Sequence, residues 1–302
     1  MASDSAKYKG GLPIKKILVP VDYSECSDFA CRYAAKIACK LGGQIRFLHA
    51  YYTPSFDLIE LSGTVQIQSQ LKEEVTVNLE KTERETAEQF ISAFKKQITE
   101  CDPQNLEISY DVFPGIPEEE IINYCSHYKP DLVIMGTHGK DKAKTIMGSV
   151  TETIIRKLRF PVLAIPEKYS FIGEKNIKNL MYVTEFVESD FLSIKQLMNL
   201  TSQLELTIHC VHIGEEEGEW DRIKMDGLKE YLRNTYGKTD VECGWIHAKN
   251  MLTDINEYVQ EKKINIISLT SRQRGILDKL FKADLTRKLF YHTNIPLLVF
   301  HS

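Results

Sequence analysis

Met135-Gly-Thr-His-Gly139-Lys-Asp-Lys-Ala-Lys-Thr-Ile-Met-Gly148-Ser149-Val150 is the segment whose residue types and spacing come nearest to chemistry. Closely spaced glycines such as Gly136 and Gly139 let a backbone approach an anion. Gly148-Ser149, just ahead of a helical stretch over 149–158, can aim amide N–H groups and a hydroxyl at a phosphate. Thr137 and His138 lie within this loop and Val150 just beyond it; His138 is placed either to touch a phosphate or to face solvent. Ser149 has a structural use as well, because Glu152 three residues on completes a capping box. Lys140, Lys142 and Lys144 add positive charge, although a lysine run on a loop is commonly a solvated face. A second candidate is Asp22, which ends an apolar run from Lys16. Its carboxylate could accept from ribose hydroxyls or an adenine amino group, or cap the following helix.

The elements that must position these residues follow from periodicity. Lys16–Asp22 reads as a strand feeding a helix over 26–41, with Phe29, Tyr33, Ile37 and Leu41 at helical spacing. Ile45–Tyr51 is a second strand, 68–100 a long charged helix, and Leu106–Phe113 an alternating strand. Pro114-Gly-Ile-Pro117 turns the chain into a helix ending at Tyr128, whose first turn carries three carboxylates suited to a positive helix N-terminus. Asp131–Met135 and Phe160–Ile165 are apolar throughout, as strands covered on both faces tend to be. The alternation implies a doubly wound α/β fold with a parallel sheet, which places the glycine loop and Asp22 on the carboxyl edge where such sheets bind ligands.

The pattern occurs twice. Ile14–Tyr23 matches Ile177–Phe186 at an offset of 163, whereas Asp131–Met135 matches Asn265–Leu269 at 134 and the last strand Pro161–Ile165 matches Pro296–Phe300 at 135. The second copy therefore lacks about 29 residues of the 50–105 helical region, the difference between the offsets. A tandem duplication with a linker near 168–176 follows.

Several function classes fall away. With 38 Lys and Arg against 42 Asp and Glu, a net charge of −4 supplies no field for nucleic-acid affinity. No run approaches the length that spans a bilayer, and the first ten residues lack an apolar leader region, so a soluble cytoplasmic protein is expected, with no membrane partner. Seven cysteines, none in C-x-x-C pairs, read as small buried residues in a reducing compartment. His209 and His212 resemble a metal pair, but a spacing of three in a strand points the rings to opposite faces. No P-loop, nucleophile elbow or Gly-x-Gly-x-x-Gly is present, and no general base accompanies the glycine loop.

These residues together resemble the universal stress protein family: a first strand ending in Asp22, a second in Leu48-His-Ala50, a Gly115-Ile-Pro117 turn, and Gly136-x-x-Gly139 followed by Gly148-Ser149. Eight residues, 140–147, separate Gly139 from Gly148 where the family pattern has nine. The resemblance implies five-stranded parallel sheets and dimerisation, often through the last strand. In one subfamily it implies ATP held by the residues corresponding to Asp22, Gly136, Gly139, Gly148 and Ser149, with Val21 and Ala50 as adenine neighbours. In the second copy Gly136, Gly139, Gly148 and Ser149 become Thr270, Gln273, Lys282 and Ala283, and Asp22 becomes Glu185. The expectation is thus a tandem universal stress protein with domains at 1–168 and 176–302 packed as a pseudo-dimer, the second degenerate. The first would bind ATP or another adenine nucleotide, with Mg²⁺ bridging phosphates, as a sensor or signalling module with little catalysis. A homodimer and a protein partner are expected in addition; a nucleotide-free scaffold and a weak ATPase are the alternatives.

Overall fold

A computed structural model of the chain describes residues 15–52, 65–98, 106–138, 148–166, 177–238, 240–271 and 295–301. In the first half, β1 (Lys16–Pro20), α1 (Glu25–Leu41), β2 (Gln44–Tyr51), α2 (Val65–Gln97), β3 (Ile108–Pro114), α3 (Pro117–Tyr128), β4 (Leu132–Gly136), α4 (Ser149–Lys157) and β5 (Val162–Ile165) alternate as the periodicity requires. In the second half come β6 (Asn179–Thr184), α5 (Glu188–Thr201), β7 (Thr207–Gly214), α6 (Glu219–Tyr236), β8 (Val241–His247), α7 (Met251–Glu261), β9 (Ile266–Ser271) and β10 (Leu297–His301).

Strand β1 explains the layering. Ile17 and Val19 point to the side covered by α1 and α2, where Ala34 and Phe94 close the core, while Leu18 points to the opposite side against Ile121 of α3 and Ile154 of α4. A strand with helices on both faces has no solvent side, and β4 and β5 are accordingly buried along their whole length. Each half has the same parallel order, β3-β2-β1-β4-β5 and β8-β7-β6-β9-β10, with its topological switch between the first and fourth strands.

The two halves are not separate sheets. β5 and β10 pair antiparallel, Leu297 with Ala164 and Val299 with Val162, and fuse them edge to edge into one ten-stranded sheet. The pseudo-dimer is thus a continuous backbone ladder that covers one edge of each half.

Side chains repeat the symmetry. Asp131 Oδ2 accepts the backbone N–H groups of Lys15 and Lys16 at 2.8 and 2.9 Å; Asn265 Oδ1 accepts those of Lys178 and Asn179 at 2.8 and 3.0 Å. Lys129 and Lys263 hold left-handed φ values of 51° and 50° after α3 and α7. The missing residues of the second copy show as a shorter helix, 18 residues in α6 against 33 in α2.

Four of the cysteines, Cys26, Cys31, Cys125 and Cys210, are buried free thiols; burial pushes Cys125 up to about 12, which keeps it an unreactive apolar group. Two depart from the expected uniform burial: Cys243 is an exposed free thiol on β8, the far edge strand, and Cys39 is disulfide-bonded. An odd total says nothing about whether one pair forms. Cys101 lies outside the described residues.

The seam has a pH signature. His301, at the end of β10, bonds through Nε2 to the carbonyl of Ile155 in α4 at 2.7 Å. Burial lowers its pKa below 6.5, opposed only in part by the carbonyls of Ile155 and Phe160. An unfolded chain therefore binds a proton near pH 6.5 that the folded chain refuses, so stability is full above that pH and falls as pH drops through it. Melting temperature should decline from pH 7.5 to 5.5 less steeply in His301→Gln than in the parent; equal slopes would remove His301 from the seam's energetics.

Candidate functional site

The carboxyl edge of the first half is built from three strand ends. Beyond β1, the N–H of Val21 donates to the Leu48 carbonyl at 2.9 Å, holding β1 against β2 one residue past the ladder. His49 Nδ1 lies 2.7 Å from the Val21 carbonyl, and its Nε2 is 3.3 Å from the Glu83 carboxylate on α2. The imidazole thus ties the end of β1 to the long helix. Tyr23 takes φ 60° and lays its ring on His49, 4.5 Å between centroids, with Phe90 behind it at 5.3 Å. Burial and the Glu83 charge raise the Tyr23 hydroxyl well above its usual range, so it stays protonated.

Asp22 does not cap α1. Ser24 does, accepting the N–H of Ser27 at 3.2 Å, while Asp22 Oδ1 accepts the N–H of Ser24 at 3.1 Å. One carboxylate oxygen therefore forms a local turn that fixes the side chain on the edge. Ala50, half-buried near the end of β2, sits beside it across the β1–β2 pair.

The glycine loop leaves β4 and returns to it. Gly136 ends β4, and its carbonyl accepts the Thr151 hydroxyl of α4 at 2.8 Å. Thr137 is buried, with its N–H on the Ile165 carbonyl and its hydroxyl 3.0 Å from His138 Nδ1. The N–H of Gly148 donates to the Thr137 carbonyl at 2.8 Å. Both ends of the loop are thereby pinned to one strand end. Gly139 and the lysines 140, 142 and 144 lie outside the described residues.

Ser149 is not the N-cap the sequence predicts. Gly148 is the N-cap, with φ −67° and ψ 150°, and as a glycine it offers no side-chain cap. The reason is register: Gly148 is already held by Thr137 and accepts the Glu152 N–H at 3.0 Å, so Ser149 becomes the first helical residue and is exposed, with Val150 half-buried behind it. The first-turn amides of α4 and the Ser149 hydroxyl stand at the positive end of the helix dipole. All the predicted residues within the described range, Val21, Asp22, Ala50, Gly136, Thr137, His138, Gly148, Ser149 and Val150, belong to the ends of β1, β2 and β4 and the start of α4.

Sequence reasoning missed Tyr23, Glu83 and Cys26. The signal for Tyr23 was available in the repeat: Phe186, its counterpart, has φ 55°, stacks on His212 at 4.4 Å, and His212 Nδ1 meets the Thr184 carbonyl at 2.8 Å. Cys26 carries no motif, yet a Cβ on Gly136 would stand 2.8 Å from its backbone carbon and oxygen. His209 and His212 have separate partners, the first Tyr258 and Glu242, and no group of three or more potential metal ligands exists among the described residues.

The second half fills the corresponding place with larger side chains. Where the first half has Val19, Ser27 and Gly136, it has Tyr182, Asp190 and Thr270. The Tyr182 hydroxyl lies 3.1 Å from both the Asp190 carboxylate and the Thr270 hydroxyl, and Thr184 donates to Asp190 at 2.7 Å. This buried network occupies the switch point.

The model of the universal stress protein family matches residues 13–166. The chain belongs to the universal stress protein family. Among similar proteins, Universal stress protein MJ0577 of Methanocaldococcus jannaschii is 30% identical over 160 residues, 52% of this chain and 97% of that one. Universal stress protein Slr1230 of Synechocystis sp. is 22% identical over 300 residues, 95% of this chain and 100% of that one. A universal stress protein structure from Archaeoglobus fulgidus superposes with a TM-score of 0.64 at 18% identity, covering 95% and 96% of the two chains, which shows the same fold across both halves. No described helix of this universal stress protein is long and apolar enough to cross a membrane.

Proposed function

We propose that this universal stress protein binds an adenine nucleotide, ATP with Mg²⁺, at the carboxyl edge of its first domain (1–168). The second domain (176–302) is a closed copy that supports the first through the β5–β10 ladder. The observation that carries this is the start of α4 at a glycine N-cap, Gly148, held by its N–H to the Thr137 carbonyl at the end of β4. Val21 and Ala50 flank the adenine, Asp22 accepts from the ribose, and the amides after Gly148 with the Ser149 hydroxyl take the phosphates. The ion would be held by the phosphates, since the described residues offer no metal-ligand cluster of their own. Occupancy itself is read as the output: a ligand at 100 times its Kd stabilises the domain by about 2.7 kcal/mol.

The test is ATP and Mg²⁺ titration calorimetry on the full chain and on Gly148→Lys, which installs the second domain's residue. One site per chain is expected, with affinity reduced at least about 100-fold in the variant. No heat with the parent chain would refute the reading.

A further inference from the structure

The α5–α6 side of the second half carries four exposed large apolar side chains. Trp220, Leu192, Ile223 and Phe191 are 73%, 60%, 53% and 48% exposed, all within the first turns of α5 and α6. Single exposed apolar residues are ordinary, but four on two adjoining helices mark a candidate interaction site. The two helices pack side by side: Phe191 meets Tyr231, in the C-terminal half of α6, edge-on at 5.1 Å, and Lys224 of α6 lies over Phe186 at 5.5 Å. Met225, Leu228 and Leu232 are the buried stripe of α6, so Trp220, Ile223 and Gly227 fall on the adjoining outer stripe. A Cβ on Gly227 would meet nothing within 4 Å, which leaves open space in the middle of that stripe.

The chain contains its own control. Aligning the buried Met225 and Leu232 of α6 with Ala87 and Phe94 of α2 places Thr82 and Glu85 opposite Trp220 and Ile223, and the offset of 163 places Asp28 opposite Phe191 and Phe29 opposite Leu192. The fold does not require apolar side chains at three of these four positions. Exposed carboxylates cluster in sequence at the same helix ends, Glu188, Glu215, Glu216, Glu217 and Glu219, of which Glu217 is paired with Arg222 at 3.1 Å. Two copies placed face to face would oppose those carboxylates to themselves.

We propose that this face docks a basic amphipathic helix of a partner protein, its apolar side on Phe191, Leu192, Trp220 and Ile223 and its Lys or Arg side chains against the glutamates. The test uses the full chain without nucleotide and a synthetic 18-residue helical peptide with Leu at i, i+3, i+4 and i+7 and Lys elsewhere; the same peptide with Glu for Lys is the control. The Lys peptide is expected to shift Trp220 emission to the blue and to bind at least tenfold more weakly at 0.5 M than at 0.05 M salt. The Glu peptide should not bind. Calorimetry should show at least a tenfold loss in Phe191→Asp/Trp220→Thr/Ile223→Glu, which restores the first half's residue types. Glu215→Lys/Glu216→Lys, at two exposed positions ahead of α6, should show a similar loss. No binding, or equal binding by both variants, would overturn the proposal. So would self-association of the parent chain that the triple variant abolishes without any peptide binding, which would assign the face to a second copy.

Discussion

Asp190→Ala is expected to lower the stability of the second half by about 3–5 kcal/mol, the largest effect of any single substitution considered for this chain. Asp190 is buried and accepts from the hydroxyls of Tyr182 and Thr184 and from the N–H groups of Glu185 and Val187. Alanine removes every one of these acceptors at once. Tyr182 retains Thr270 as a partner and the Thr184 hydroxyl still accepts the Phe186 N–H, but the Thr184 hydroxyl proton and the half-buried amides of Glu185 and Val187 lose this acceptor, at roughly 1–3 kcal/mol for each group left unsatisfied before relaxation. The counterpart in the first half, Ser27, makes only a local bond to the Ser24 carbonyl, and Ser27→Ala should cost about 1 kcal/mol or less. Thermal melts of the two variants therefore separate the two readings of Asp190. A drop of less than about 1 kcal/mol in Asp190→Ala would mean the network adds nothing beyond helix capping.

Gly136→Thr, which installs the second half's residue in the first, is expected to cost about 1–3 kcal/mol and to weaken nucleotide binding at least tenfold. The new Cβ would stand 2.8 Å from the backbone carbon and oxygen of Cys26, and backbone in the first turn of α1 cannot yield as a flexible side-chain end can. Moving that turn also displaces the Ser24 cap and, through Ser24, the bond that orients Asp22. Stability and binding should thus fall together, by denaturant melts and by ATP titration. Wild-type melting with wild-type affinity would show that β4 and α1 are less tightly packed than their geometry indicates.

The two halves differ most at these two sites. Both share the strand order, the left-handed residue after the first strand, and the histidine that returns to a carbonyl at that strand's end. They differ in what fills the switch point: glycine against the α1 backbone in one, a Tyr-Asp-Thr hydroxyl network in the other. A duplicated fold can retain its framework while one copy exchanges a glycine contact for buried hydrogen bonds.

Much of this was legible in the residues alone. The strands covered on both faces, β1, β4 and β5, announce themselves as unbroken apolar runs, and the offsets of 163 and 134 locate the second copy because its buried strands repeat the same apolar pattern. The cap at α4 was misread because Ser149 and Glu152 satisfy a local rule, whereas the register was set by a longer-range bond from Gly148 to Thr137. Asp22 was open between ligand and cap for the same reason; Ser24, two residues on, fits the cap better, and only the backbone decides between them. The fusion of the sheets through β5 and β10 was not legible in the strands themselves, since an apolar strand carries no sign of which neighbour it pairs with; only the family resemblance, with dimerisation through the last strand, pointed to it. Glu83 was hidden for a related reason: nothing in a long charged helix singles out the carboxylate that meets His49.

Hydrogen exchange of the full chain with and without ATP and Mg²⁺ tests the central claim most directly, because it reports where the nucleotide binds as well as whether it does. Protection is predicted at the amides of Val21–Asp22 and Ser149–Thr151, with no change at Thr184–Glu185 or Thr270–Ser271. Unchanged exchange at both edges, or protection confined to the second half, would contradict it.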